Sequence, residues 1–228
     1  MVFIQEMIMK LGMIPQTTAT GVLTFAVAVF LSLPSCSPGS NGADRKDDAA
    51  ANFDTMPTPP DAVSSRGKGQ CLKGDCEKGS GTYIQPNGSR YTGTFKDGVP
   101  HGKGRVEFAN GDLYDGEWNN DRMHGAGTYV FGSNSPSAGD RYVGEWQNDM
   151  MHGKGVYTFG PRSQFAGDTY VGEYRFGKKN GFGTYRWSNG SRYEGEWMND
   201  NFHGTGSYLG TDGKVLKGRW ENDTFLGK

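Results

Sequence analysis

The chain has 228 residues, a length that fits one domain, with 24 Lys+Arg against 25 Asp+Glu and 37 glycines. From residue 71 to 228 basic and acidic residues each number 19, so no basic footprint for nucleic acid or for an anionic membrane is present. That much glycine would spell disorder if it were aperiodic, but most of it falls on one recurring pattern.

Residues 1–35 are expected to be an export signal. Residues 21–33 (GVLTFAVAVFLSL) form a 13-residue apolar run. That is the length of a signal core and short of the roughly 20 residues needed to span a bilayer. Upstream stand one lysine, Lys10, and one glutamate, Glu6. Translation from Met9 would give a Met-Lys-Leu start with a positive n-region, so Met9 is the expected start. Leu33-Pro34-Ser35-Cys36 follows at once and resembles the bacterial lipobox, from which only Pro34 departs. The resemblance implies that Cys36 is lipidated and becomes the mature N-terminus, giving membrane attachment in a bacterial envelope, on the periplasmic or surface side. Ser37 in the following position implies the outer membrane. The alternative is an ordinary cleaved signal with an incidental cysteine.

Residues 36–70 are rich in Pro, Ser, Gly, Ala and Asp, with almost no large apolar side chains. They cannot bury enough surface to fold and are expected to act as a flexible tether. Residues 71–90 (CLKGDCEKGSGTYIQPNGSR) read as an N-terminal cap. Cys71 and Cys76 bracket Lys73-Gly74-Asp75. On a straight strand their separation of about 16 Å forbids a disulfide. Either the turn folds back and bridges them, or Cys76 fills the aromatic slot of a degenerate repeat.

From Tyr91 the chain repeats itself. The copies are YTGTFKDGVPHGKGRV from Tyr91, YDGEWNNDRMHGAGTY from Tyr114, YVGEWQNDMMHGKGVY from Tyr142, YVGEYRFGKKNGFGTY from Tyr170 and YEGEWMNDNFHGTGSY from Tyr193, then a truncated LKGRWENDTFLGK from Leu216. The openings lie 23, 28, 28, 23 and 23 residues apart. Such a period marks a repeat architecture in which each unit buries its apolar face against its neighbours. On a strand, Tyr193, Gly195 and Trp197 share one face and Glu194 and Glu196 the other; Gly204, Gly206 and Tyr208 repeat the pattern. Asn199-Asp200-Asn201 supplies a turn, and Asn87-Gly88, Asn110-Gly111, Asn189-Gly190 and Asp212-Gly213 are expected to supply tight hairpin turns. Recurrent glycine excludes helix.

These motifs, Tyr-x-Gly-x-Trp followed by His-Gly-x-Gly, closely resemble the MORN repeat (membrane occupation and recognition nexus). The fourth copy departs from it with Tyr174 for Trp and Asn180 for His, and the last has Leu216 for Tyr. The expected fold is all-β: an elongated single-layer antiparallel meander of MORN β-hairpins over 71–228, about six repeats with partial end caps. Its strands are expected to be about five residues long, too short for an outer-membrane barrel. An uncovered aromatic face requires either that the rings pack on their own neighbours or that two sheets associate, which leaves a homodimer open.

No catalytic constellation, metal site or cofactor motif stands out. His101, His124, His152 and His203 share one repeat position, and one histidine per hairpin keeps neighbours about 9.5 Å apart. Glu117, Glu145, Glu173 and Glu196 form a row expected to be a solvated polar face, and Trp118, Trp146, Trp197 and Trp220 a core ladder. After Phe131 and Phe159 the turns lengthen by five residues, and the two loops share one edge. Function tends to sit in loops of this kind, so Arg162 and Phe165 are the candidate partner-binding residues; the alternative is a tolerated insertion with no role. The expected function is a non-enzymatic interaction or scaffold module that binds a protein or cell-wall partner through its polar face or edge loops. The alternative is a module that binds lipid headgroups directly, a role implied by the family resemblance.

Overall fold

The computed structural model describes residues 69–135 and 137–228. The signal and tether expected over residues 1–35 and 36–70, and with them Cys36, lie almost wholly outside the described residues. The described chain is one antiparallel sheet of 14 strands in sequence order. The first hairpin joins β1 (Gln70–Gly74) to β2 (Ser80–Ile84). Five hairpins then join a seven-residue strand to a nine-residue one: β3 (Arg90–Lys96) and β4 (Val99–Glu107), β5 (Leu113–Asn119) and β6 (Arg122–Val130), β7 (Arg141–Gln147) and β8 (Met150–Thr158), β9 (Thr169–Arg175) and β10 (Lys178–Arg186), β11 (Arg192–Met198) and β12 (Asn201–Leu209). The last pair is β13 (Val215–Glu221) and β14 (Thr224–Gly227). The nine-residue strands correct the expected length of about five. Strand length is therefore no argument against a barrel; the open order is, since among the described residues no pairing joins β14 to β1.

The unequal lengths have a local cause. Gly116 pairs with Gly127, but the next residue, Glu117, pairs with His124, so Gly125 and Ala126 bulge out of the β5–β6 ladder. They pair instead with Trp146 and Glu145 on β7. The same shift recurs between β7 and β8 and between β11 and β12. Gly125 has φ +56°, a left-handed conformation that explains the glycine after each repeat histidine.

The turns exchange their expected roles. The two-residue turns are Asp97-Gly98, Asn120-Asp121, Asn148-Asp149, Phe176-Gly177, Asn199-Asp200 and Asn222-Asp223, with positive φ at both residues, the signature of a type I′ hairpin. Asn201 is already the first residue of β12. The Asn-Gly pairs sit in three-residue loops: Gly111 N donates to Phe108 O (2.8 Å) and Phe108 N to Asp112 O (2.9 Å). Only the glycine of each such pair has positive φ.

One face of the sheet is an aromatic ladder. Each repeat tyrosine makes edge contacts with the aromatic ring of its own repeat and with that of the next. Tyr114 lies 5.3 Å from Trp118 and 5.4 Å from Trp146, with ring planes at 84° and 81°. Tyr142 does the same with Trp146 and Tyr174, so the Trp-to-Tyr departure of the fourth copy keeps the ladder continuous. Tyr114 lies over Gly116 of its own strand and Gly127 of the next, where an added Cβ would fall 2.5 and 2.4 Å from its hydroxyl oxygen. Its hydroxyl donates to Glu117 O of the same strand (2.9 Å), beside the bulge. The tyrosines at 91, 114, 142, 170 and 193 are 0–1% exposed. Rings packed on their own neighbours cover this face, and it needs no second sheet.

A second set of contacts locks consecutive hairpins. Asp149 N donates to Met123 O (3.1 Å) while Met123 N donates to Asp149 Oδ1 (2.8 Å). Asp200 with Lys179, and Asp223 with Phe202, repeat the reciprocal pair. Asp112, Asp140 and Asp168 are also buried: each takes a tyrosine hydroxyl on Oδ2 at 2.8 Å, from Tyr129, Tyr157 and Tyr185, and a backbone N–H on Oδ1. Burial raises the Asp140 carboxyl above the usual range, and these two donors oppose that rise.

Candidate interaction face

The outer face, opposite the ladder, carries the glutamates and histidines, and much of that chemistry is structural. Glu145 Oε1 accepts Lys154 N (3.0 Å), and Glu196 Oε1 accepts Thr205 N (2.9 Å). The carboxylates lie against the bulge glycines, where a Cβ on Gly125 would fall 2.3 Å from Glu117 Oε2. The glutamate row therefore caps the bulges; it is more than a solvated face. Three of the four histidine carbonyls, on His124, His152 and His203, accept a tyrosine hydroxyl at 3.4 Å. One histidine per hairpin, with a strand between, keeps the rings too far apart to share an ion.

The long loops were the sequence candidates. Phe165 is 5% exposed and packs on Phe159 with centroids 5.3 Å apart. It anchors its loop and cannot serve as a partner contact, because its ring is spent filling the space beside the ladder. Arg162 is exposed, and its Nη1 donates to Ser133 O of the preceding loop (3.3 Å). The two loops stack closely: a Cβ on Gly160 would fall 2.2 Å from the Gly139 carbonyl carbon. The bracketing turn between Cys71 and Cys76 does fold back: their Cα atoms are 6.0 Å apart and the sulfurs are bonded.

Sequence reasoning missed the centre of the outer face. Register brings Val143, Val156 and Val171 into one row on adjacent strands β7, β8 and β9, with Thr128 and Thr184 at its ends. Val156 is 38% and Val171 50% exposed, and Phe182 on β10 is 53% exposed. Together with Lys154, Glu173 and Thr184 they line an open groove of about 480 Å³. The signal was in the sequence: at the positions occupied by Asp115, Thr128, Glu194 and Ser207 in other copies, the central copies place valine.

Parallel rows flank the valines. On one side Arg141 pairs with Thr158, Thr158 with Thr169, Thr169 with Arg186 and Arg186 with Arg192. On the other side stand Glu145, Glu173 and Glu196, paired in turn with Ala126, Lys154 and Phe182. The face is thus basic along one rim, apolar along its floor and acidic along the other rim.

Two solved structures resemble the chain at low similarity. One is the TCP10 domain of CPAP from Danio rerio in complex with a STIL peptide, at 16% identity and TM-score 0.32, covering 65% of this chain and 67% of that one. The other is the SAS-4 (dCPAP) TCP domain of Drosophila melanogaster in complex with a proline-rich motif of Ana2 (dSTIL), at 15% identity and TM-score 0.28, covering 80% and 96%. No curated protein matches the chain. The MORN repeat model matches residues 77–90, 91–113, 114–135, 142–163, 170–192 and 193–215, and with more than half of its residues in these six segments the chain belongs to the MORN repeat family.

Proposed function

We propose that this protein is a non-enzymatic interaction module, exported and held in a bacterial envelope by lipid on Cys36, with the outer membrane as its site. Membership of the MORN repeat family supports an interaction or scaffold role. The observation that carries the reading is the outer-face groove: Val156, Val171 and Phe182 stand solvent-exposed, with Val143 half-buried beside them, on a face where Glu145 and Glu196 are engaged in capping bulges. Exposed apolar surface rimmed by polar residues marks an interaction site. Export is supported by the Cys71–Cys76 bridge, since disulfides persist in oxidising compartments. The lipobox-like Leu33-Pro34-Ser35-Cys36 supports anchoring, and residues 36–70 would give the domain reach from the membrane.

The test is photo-crosslinking in the native host, with a photoreactive residue at position 171 of the full chain and, separately, at position 162. An adduct with an envelope protein from position 171, lost in C36A, is the expected result. Absence of any protein adduct from both positions would overturn the interaction reading.

A further inference from the structure

From the three rows of the outer face we infer that the groove is a seat for one amphipathic helix of a protein partner, basic along one flank and acidic along the other. The inference rests on the interaction-module reading and specifies its partner.

Width is the first argument. Arg141 and Glu145 on β7, and Arg192 and Glu196 on β11, are four residues apart on one strand. That sets the rims about 13 Å apart at roughly 3.3 Å per residue, and an α-helix with its side chains is about 10–12 Å across. Spacing is the second. The valines stand on neighbouring strands, so they step by about 4.8 Å along the row. A helix presents one apolar position per turn at about 5.4 Å, whereas alternate residues of an extended chain step by about 6.6 Å. A helix laid across the strands therefore puts one side chain near each valine.

Charge is the third argument. Arg141, Arg186 and Arg192 are exposed and meet no opposite charge across their strand pairs, where they face Thr158, Thr169 and each other. On the far rim, Glu145, Glu173 and Glu196 face Ala126, Lys154 and Phe182. A helix with Asp or Glu on one flank and Lys or Arg on the other satisfies both rims at once. A uniformly basic or uniformly acidic helix meets one rim and is repelled by the other. An anionic membrane does not fit, because the glutamate rim repels it.

The probes are three 18-residue synthetic helical peptides with the same leucine stripe and different flanks: Lys on one side and Glu on the other, Lys on both, or Glu on both. Each is titrated against the full chain by fluorescence anisotropy. The mixed peptide is expected to bind at least tenfold more tightly than either uniform one. The double variant V171T/F182S, on exposed side chains, is expected to weaken it at least tenfold. The double variant R186E/R192E makes both rims acidic and is expected to transfer the preference to the all-Lys peptide. Near-UV circular dichroism of the aromatic ladder verifies that each variant is folded; if V171T/F182S is not, R186E/R192E decides alone. Equal affinity for all three peptides, no measurable binding, or a preference that R186E/R192E leaves in place would overturn the inference. Vesicles of phosphatidylglycerol serve as a fourth ligand, and tighter binding to them than to the mixed peptide would also overturn it. If the peptides fail while position 171 still crosslinks a protein in the host, the interaction reading stands and the helix assignment falls.

Discussion

Asp121 docks onto Pro100, the one residue at that position of the repeat with no N–H to give. Asp121 N donates to Pro100 O at 2.9 Å, as Asp149 N does to Met123 O and Asp200 N to Lys179 O. The return bond, which runs from Met123 N to Asp149 Oδ1 and from Lys179 N to Asp200 Oδ1, is missing. Asp121 Oδ1 is left buried with no hydrogen-bond partner. Burial first, and repulsion from Asp149 second, push its carboxyl up to about 7.

This makes a stability signature in acid. A carboxyl whose folded pKa exceeds its unfolded value of 3.8 favours folding in its protonated form. Its contribution is fully present below about pH 4 and is lost as pH rises through about 7. Urea unfolding of the wild type against D121N from pH 4 to 7 should show the wild type losing stability relative to the variant across that window. P100M restores the N–H and should add about 1 kcal/mol at pH 7 while flattening the same slope. An unchanged slope in P100M would contradict the assignment.

The tyrosine ladder predicts a contrast between two glycines. G127A drives a Cβ into the Tyr114 ring and against its hydroxyl, and should cost more than about 2 kcal/mol with loss of near-UV dichroism. G190A has open space around it and only a left-handed φ of +89° to oppose it, so about 1 kcal/mol is expected. Thermal melts of the two variants side by side check the order.

If the glutamates cap bulges, the acceptor oxygen matters more than the charge. E145A should cost about 1–2 kcal/mol by leaving Lys154 N without its partner, and E145Q should retain most of the stability. Hydrogen exchange at the Lys154 amide should quicken in E145A and stay slow in E145Q. Equal quickening in both would assign the effect to charge.

Lys179 replaces Met123, Met151 and Phe202 inside the ladder. It is fully buried, with its Nζ 4.6 Å from the Trp197 ring and 5.0 Å from Tyr185. Burial lowers its pKa to about 8 against the pull of Asp200, Asp223 and Asp168. A lysine whose folded pKa lies below its unfolded 10.5 destabilises the fold while charged, and the penalty fades as pH rises from about 8 to 10.5. Relative to K179M, the wild type should therefore gain stability over that window. A constant difference between the two would contradict the buried-lysine account.

The hairpin meander was legible because the Tyr-x-Gly-x-Trp spacing fixes both the face and the period. Where two strands had to be seen together, the sequence was mute. Asn-Gly suits a two-residue turn and a three-residue loop equally, and only the ladder register assigns Asn110-Gly111 to the longer one. The bulge at Gly125 exists only relative to β5. The reciprocal lock of Asp149 on Met123 spans 26 residues and has no local trace. The groove is likewise a sum over strands: the valines stand out in the sequence against the polar residues of the other copies, but their row emerges only when β7, β8 and β9 are set side by side. Phe165 was misjudged because a loop aromatic can turn inward, and the ring of Phe159 gives it a place to do so.

A docking face held at a membrane by lipid is the central claim, and the mass of the mature N-terminal peptide from the native host tests its anchoring half most directly. A peptide beginning at Cys36 and carrying a diacylglyceryl group is the predicted result, and it directs the partner search to envelope proteins. An unmodified N-terminus at another residue, or an intact stretch over residues 21–33, would contradict it.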